Sequence, residues 1–124
     1  MELTPYLIYG GRCREAFTTY AEILGGTISS TMPWDDSGQR LRNCRLEAGN
    51  LVLHGMDSES GEAVEPASLM LALDSAEEAE RVFGALTAGG EVNVPMGPAP
   101  FAARFGMAVD PFGIRWMITG GGQS

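Results

Sequence analysis

The segment EAFTTYAEILGG, from Glu15 to Gly26, returns in outline as EAERVFGALTAG, from Glu78 to Gly89. Both copies begin with a Glu-Ala pair, carry an aromatic residue five positions later and end in glycine, with matched positions 63 residues apart. Half of a 124-residue chain buries too little apolar surface to fold well alone. We therefore expect two similar modules that form one domain.

The apolar residues inside both segments recur at the i, i+3, i+4 and i+7 positions of an amphipathic helix. Ser75 and Glu78 form a capping box, and a glycine pair follows each helix. Short apolar or alternating runs predict one strand before and three strands after each helix. The expected strands are 3–9, 27–32, 41–47, 51–56, 67–73, 91–94, 104–109 and 114–119, the helices are 12–24 and the segment between Ser75 and Gly89, and loops are expected at 33–38 and 95–100.

These elements predict an α+β fold of two tandem βαβββ modules, with cupped mixed sheets and helices on their outer face. We expect a single domain over 1–120, with a flexible glycine-rich tail at 121–124. Within the domain, module one is 1–57, an acidic linker is 58–66 and module two is 67–120. The linker allows the modules to pair within one chain or to be exchanged between subunits.

Charge and composition exclude several classes of function. Eight basic residues against 16 acidic ones give a net charge of −8, which repels phosphate backbones and argues against nucleic acid as a partner. The apolar stretches are too short to span a membrane and the N-terminus lacks a signal pattern, so a cytoplasmic protein is expected. Cys13 and Cys44 are too few for a disulfide framework and are not spaced as a metal site.

Strand alternation divides the predicted sheets into two faces. Tyr6, Ile8 and Trp116 fall in an apolar set that is expected to pack against the helices. The other face mixes apolar and polar groups, as ligand clefts do, although a solvated antiparallel sheet would look similar. Its members include Leu7, Tyr9, Arg45, Glu47, His54, Met56, Ser68, Met70, Arg115 and Met117.

Two local groups of charged residues have alternative interpretations. Arg45 and Glu47 are expected to form an ion pair on the sheet face rather than a catalytic pair. Trp34, with Asp35 and Asp36 on the same loop, could hold a cation by stacking and charge. Solvation of the two aspartates is the simpler alternative.

Several segments, in order and spacing, resemble the PhnB-like branch of the glyoxalase and bleomycin-resistance proteins, the vicinal oxygen chelate superfamily. The resemblance covers about residues 3–119 and implies a U-shaped cup of two βαβββ modules, commonly completed in a homodimer. The segments that carry it are Pro5-Tyr6-Leu7, Cys13-Arg14-Glu15-Ala16-Phe17, Leu24-Gly25-Gly26, Met32-Pro33, Arg104-Phe105-Gly106-Met107 and Asp110-Pro111-Phe112-Gly113-Ile114-Arg115-Trp116-Met117.

Enzymes of this superfamily hold a divalent metal through four positions, and the resemblance carries these to Pro5, His54, Ser68 and Met117. Among them His54 alone is an ordinary ligand for such a metal, so neither metal nor other cofactor is predicted. The predicted function is metal-free binding of a hydrophobic or cationic small molecule, with drug sequestration as one form of it. A metal-dependent glyoxalase-like isomerase or dioxygenase is the alternative, so enzymatic activity stays open. The candidate ligand-binding residues are His54, Trp34, Arg45, Glu47, Ser68, Met70, Arg115 and Met117.

Overall fold

The computed structural model describes residues 3–62 and 68–121 of the chain. The chain divides into two compact units, Met1–Pro66 and Ala67–Ser124. Within the described residues, each unit contains one strand, one helix and three further strands. The predicted α+β class and the tandem βαβββ arrangement are confirmed. Residues 58–62 of the predicted linker are described. Its residues 63–66 and residues 122–124 of the predicted tail lie outside the described residues.

The first unit is a four-stranded mixed sheet covered by one helix. Its elements are β1 (Tyr6–Tyr9), α1 (Cys13–Leu24), β2 (Thr27–Pro33), β3 (Leu41–Ala48) and β4 (Leu51–Asp57). The strands lie in the order β1-β4-β3-β2, with β1 parallel to β4 and the other neighbours antiparallel. The strand β4 therefore lies inside the sheet, between β1 and β3.

The second unit repeats this topology. Its elements are β5 (Ser68–Leu73), α2 (Ala76–Thr87), β6 (Glu91–Ala99), β7 (Ala102–Val109) and β8 (Arg115–Gly120). The strand order is β5-β8-β7-β6, and the single parallel pair is again the first strand with the last. In the described part of the chain, no helix is long and apolar enough to cross a membrane.

The two helices begin with different caps. The predicted capping residue Ser75 accepts a hydrogen bond from the backbone N–H of Glu78, at 3.0 Å. Arg12 at the start of α1 makes no side-chain capping bond. A carboxylate from another element takes over this task, because the N–H groups of a first helical turn need acceptors.

That carboxylate belongs to Asp57, which is completely buried at the end of β4. Its Oδ1 accepts a bond from the N–H of Cys13 at 3.0 Å, and its Oδ2 accepts one from the N–H of Leu41 at 2.9 Å. The indole Nε1 of Trp34 donates to its backbone oxygen at 2.7 Å. Asp57, at the end of β4, is thus bonded to the start of α1, to the start of β3 and to the loop before β3.

Close packing of α1 on the sheet depends on a glycine in β4. A Cβ atom placed on Gly55 would lie 2.6 Å from the ring of Phe17 and 3.2 Å from the sulfur of Cys13. The second unit uses the same solution, since a Cβ on Gly106 would lie 2.8 Å from the ring of Phe83. In both units an aromatic ring of the helix rests directly on strand backbone, which is the dense packing of a protein interior.

The predicted facing of β1 was wrong by one residue. Leu7 and Tyr9 are buried, and the hydroxyl of Tyr9 donates to that of Tyr20 on α1 at 3.2 Å. Tyr6 is exposed instead, on the face away from the helix. The four residues of this strand are all apolar or aromatic, so their sequence carries no alternation, and only pairing with β4 fixes which side chains turn inward.

The predicted loop 95–100 was also wrong for most of its length. β6 continues through it to Ala99 and pairs irregularly with β7. Pro95 and Pro98 are compatible with a strand at this place because β6 lies at the edge of the sheet and has a single neighbour.

We predict that the substitution Gly55→Ala destabilises the protein by about 1–3 kcal/mol, because the new methyl group overlaps the Phe17 ring. Urea unfolding followed by circular dichroism measures this change. The matched control is Gly84→Ala in the interior of α2, where a Cβ meets no atom within 4 Å. That variant should be more stable by about 1 kcal/mol, since alanine is the better helix former.

The substitution Asp57→Ala should cost about 3 kcal/mol of unfolding free energy, because it leaves two buried N–H groups without their acceptor. Urea unfolding again provides the measurement, and Glu59→Ala, an exposed carboxylate two residues away, is the control. If Asp57→Ala destabilises the protein no more than Glu59→Ala does, Asp57 does not anchor α1.

Candidate functional site

A row of side chains crosses the open face of the first sheet, which is the face away from α1. His54 lies in β4, an inner strand, and its register partners are Tyr6 on β1 and Arg45 on β3. Ser30 on β2 continues the row as the partner of Arg45. Residues that face each other in register point to the same side of a sheet, so the row brings a phenol, an imidazole, a guanidinium and a hydroxyl together.

The aromatic part of this row is a pair of stacked rings. The rings of Tyr6 and His54 are within 5° of parallel, with their centroids 6.0 Å apart. Tyr6 is 48% exposed, which is high for a large aromatic side chain on a sheet. The pair therefore presents aromatic surface and polar atoms to solvent, the combination that suits a small ligand with one apolar and one polar part.

The charged part of the site is the ion pair between Arg45 and Glu47, with Nε and Oε2 3.2 Å apart. The predicted pairing of these two residues is confirmed. A hydrogen bond with the side chain of Ser29 and the bond with Arg45 hold the pKa of Glu47 below its ordinary value. Glu47 is exposed and stays ionised at neutral pH, so the site contains one positive and one negative group side by side.

The equivalent face of the second sheet is dominated by methionines. Met117 on β8 is the register partner of Met70 on β5 and of Met107 on β7. Met70 is 61% exposed, and Ser68 and Arg115 form the next pair along the same two strands. Four of the predicted site residues are thus neighbours on this face, where flexible thioether side chains offer an adaptable apolar surface.

Trp34 lies outside the row of the first sheet, on the loop before β3. Its indole N–H is bound to the backbone of Asp57, and the guanidinium of Arg42 lies 5.2 Å from its ring centroid. Asp35 is also engaged, because its Oδ1 accepts bonds from the N–H and the hydroxyl of Ser37. The predicted cation site at this loop therefore already contains a cation of the chain itself, one that the sequence reasoning missed.

The four positions that the family resemblance assigns to a metal do not provide a suitable donor set. The backbone oxygen of Pro5 accepts the N–H of His54 at 3.1 Å, and Tyr6 is the residue in register with His54. Ser68 and Met117 lie in the second unit, and a thioether does not suit a divalent metal such as Zn²⁺ or Mn²⁺. Across residues 3–62 and 68–121, no group of three or more His, Cys, Asp or Glu side chains is placed to hold a metal ion.

Tyr6 was missed as a site residue because the exact 63-residue period was extended to β1. His54 precedes its equivalent Met117 by 63 positions, whereas Tyr6 precedes Met70 by 64. The helices keep the period of 63, so one additional residue lies between the strand and the helix of the first unit. The glycine pair Gly10-Gly11 in that connection was the available signal for such a difference.

A shallow cavity of about 420 Å³ lies elsewhere on the first unit, between the outer side of α1 and the loop before β3. None of the candidate residues lines it. We give the open sheet face more weight, because its row combines stacked rings with paired charges. The cavity is lined by Gly11, Arg14, Glu15, Thr18, Thr19 and Gln39.

Comparison with known proteins identifies relatives along the whole chain. The sequence model of the Glyoxalase/Bleomycin resistance protein/Dioxygenase superfamily matches residues 2–118. YjdN of Escherichia coli (strain K12) is 27% identical over 138 residues, covering 95% of this chain and 94% of that protein.

Solved structures agree with this assignment. The crystal structure of PA1353 from Pseudomonas aeruginosa is similar with a TM-score of 0.90 and 38% identity, covering 100% of this chain and 99% of that one. A PhnB protein from Bacillus cereus is similar with a TM-score of 0.83 and 23% identity, covering 97% and 99%. The last similarity is one of fold alone.

We predict that Arg45→Met raises the pKa of Glu47 towards its ordinary value, because the substitution removes both the charge and the hydrogen bond of the guanidinium. A pH titration of the glutamate carboxyl carbons by NMR measures the shift. Arg42→Met is the control, since Arg42 contacts the Trp34 ring, and it should leave the pKa of Glu47 unchanged.

Proposed function

Because the chain belongs to the Glyoxalase/Bleomycin resistance protein/Dioxygenase superfamily and resembles its PhnB-like branch, we propose that it binds a small molecule on the open face of its first sheet without a divalent metal. The observation that carries this proposal is the row of Tyr6, His54 and Arg45. The three side chains come from three different strands and present stacked rings and a charge on one surface.

The chemistry of the row indicates the kind of molecule that would bind. A flat apolar or aromatic group can lie against the Tyr6 ring, which is half exposed. A cationic group can pair with Glu47 or approach the face of the phenol ring, and the chain's charge of −8 favours its approach. We therefore propose a hydrophobic or cationic ligand, and sequestration of such a compound as the way the protein acts.

The donor chemistry supports binding that is independent of a divalent metal. Of the four positions that the resemblance assigns to a metal, Pro5 has no side-chain donor and Met117 has only a thioether, which leaves His54 and the weak hydroxyl ligand Ser68. The residues in register with His54 and Met117 are Tyr6 and Met70, which add no histidine or carboxylate. An open catalytic site for a divalent metal usually has three protein ligands from histidine and carboxylate. The residues present do not fit this requirement.

The open face of the second sheet has a different chemistry. Met70 and Met117, with Arg115 beside them, form a surface suited to apolar groups of varied shape. We propose these residues, together with Ser68, as a second ligand-binding surface within that unit. As in other proteins of the superfamily, we expect the functional form to be a homodimer, which sedimentation of the purified protein measures.

The test is a screen of aromatic and cationic compounds against protein stripped of metal. We predict that binders raise the melting temperature and shift the imidazole NMR signal of His54, which is the single histidine of the chain. Tyr6→Ala should weaken their binding up to about tenfold, the upper range for one aromatic contact. Phe101→Ala removes a similarly exposed aromatic ring from the second unit and should leave the affinity unchanged.

Binding of a divalent metal would contradict the proposed function. If one equivalent of nickel, zinc, manganese or ferrous iron per chain raises the melting temperature, and His54→Ala abolishes this effect, the metal-dependent isomerase or dioxygenase replaces the proposed function. Compounds that bind without moving the His54 signal would place the ligand away from the row.

A further inference from the structure

The two cysteines of the chain meet in the interior of the first unit, beneath the candidate site. Cys13 is the first residue of α1 and Cys44 lies in β3, and both are completely buried. Cys44 is the register partner of Gly55 in the antiparallel β3–β4 pair. The sulfur of Cys13 lies 3.2 Å from the Cβ position of that same glycine. The missing side chain at Gly55 therefore lets the helix bring one thiol down onto the strand pair that carries the other.

The proximity of the two thiols makes their pKa values unequal. The hydrogen bond with Cys13 lowers the pKa of Cys44, although burial opposes the change. The hydrogen bond with Cys44 and burial raise the pKa of the Cys13 thiol. Of the two thiols, Cys44 therefore has the greater tendency to form the thiolate, which is the reactive form of cysteine. Cys13 is the neighbour that keeps its proton.

We propose that Cys13 and Cys44 form a reversible disulfide when the protein meets a small hydroperoxide. The Cys44 thiolate attacks the peroxide, the O–O bond breaks, an alcohol or water leaves after protonation, and Cys44 becomes a sulfenic acid. The Cys13 thiol then attacks the Cys44 sulfur, its proton passes to the leaving hydroxide as the S–O bond breaks, and water leaves. The protein loses two electrons and two protons, and the peroxide takes up both electrons.

Access to the buried pair requires opening of the first turn of α1. This turn has no side-chain cap from Arg12. Its opening breaks the bond from the N–H of Cys13 to Asp57 and the bonds from the Arg14 guanidinium to the backbone oxygen of Gly38. The adjacent ion pair between Arg12 and Glu15 is exposed and contributes little. Local opening of a helix end costs less free energy than global unfolding. The oxidant must be small, because the opening exposes only this turn.

The crosslink would act on the backbone that carries the candidate site. Cys44 directly precedes Arg45, and Gly55 directly follows His54. A covalent link that draws Cys44 towards α1 therefore alters the strands that position both side chains. This consequence for ligand binding rests on the proposed function of the open face, whereas the disulfide itself does not.

The experiment uses the full chain, first reduced and then treated with hydrogen peroxide. After alkylation of free thiols, intact mass should show the loss of two hydrogen atoms and no alkylation, and peptide mapping should show Cys13 linked to Cys44. Dithiothreitol should restore two alkylated thiols. In Cys13→Ser, the thiol-specific probe dimedone should trap a sulfenic acid on Cys44, whereas the matched variant Cys44→Ser should give no comparable adduct on Cys13.

Results of three kinds would overturn the proposal. The intramolecular pair would be excluded by disulfides between chains, by oxidation of single cysteines to sulfinic acid without a crosslink, or by no reaction at all. All three outcomes are measured on the wild-type protein, so they do not depend on whether a variant folds. The NMR signal of His54 should shift in the crosslinked protein, and an unchanged signal would overturn the coupling to the site. Because the ligand screen uses reduced protein, failure of the proposed function and failure of the disulfide are separate results.

Discussion

The buried carboxylate of Asp57 fixes the geometry on which the first unit depends. It accepts the N–H groups that begin α1 and β3, and it ends β4, one of the two inner strands. His54 lies three residues before it on that strand, so the anchor that places the helix also sets the register of the site. The second unit has Gly120 at the equivalent position, and Asp110 instead binds its own turn and the indole N–H of Trp116. One topology is thus stabilised by two different polar anchors.

The two open faces have diverged while the faces towards the helices have stayed alike. An aromatic ring rests on a strand glycine in each unit, with Phe17 on Gly55 and Phe83 on Gly106. Across the opposite face, however, the polar row centred on His54 corresponds to a methionine row centred on Met117. Packing constrains the inner faces because buried volume is fixed, whereas an open face is free to follow the chemistry of a ligand.

Most of the fold was predictable because its determinants are local. The helix stripes, the Ser75 cap and the glycine stops identify α1 and α2 directly, and the repeat supplies the topology. The face of β1 was not predictable, since four apolar residues in succession fit either side of a sheet and pairing with β4 decides between them. Within the site, the pair of Arg45 and Glu47 followed from strand alternation. The place of Tyr6 could not be predicted, because it depends on the register between β1 and β4. The contact between Arg42 and Trp34 could not be predicted either, because it depends on a loop path that the sequence does not encode locally.

The prolines of β6 affect the tendency of the protein to aggregate through its sheet edge. A strand at the border of a sheet has unpaired amide groups on its outer side, which invite a strand from another molecule. Pro95 and Pro98 have no amide hydrogen, and the pairing of β6 with β7 shifts register between Val92 and Ala99. The missing donors and the shifts in register make the backbone of β6 a poor template for an incoming strand. This border therefore resists the edge-to-edge association that leads to fibrils.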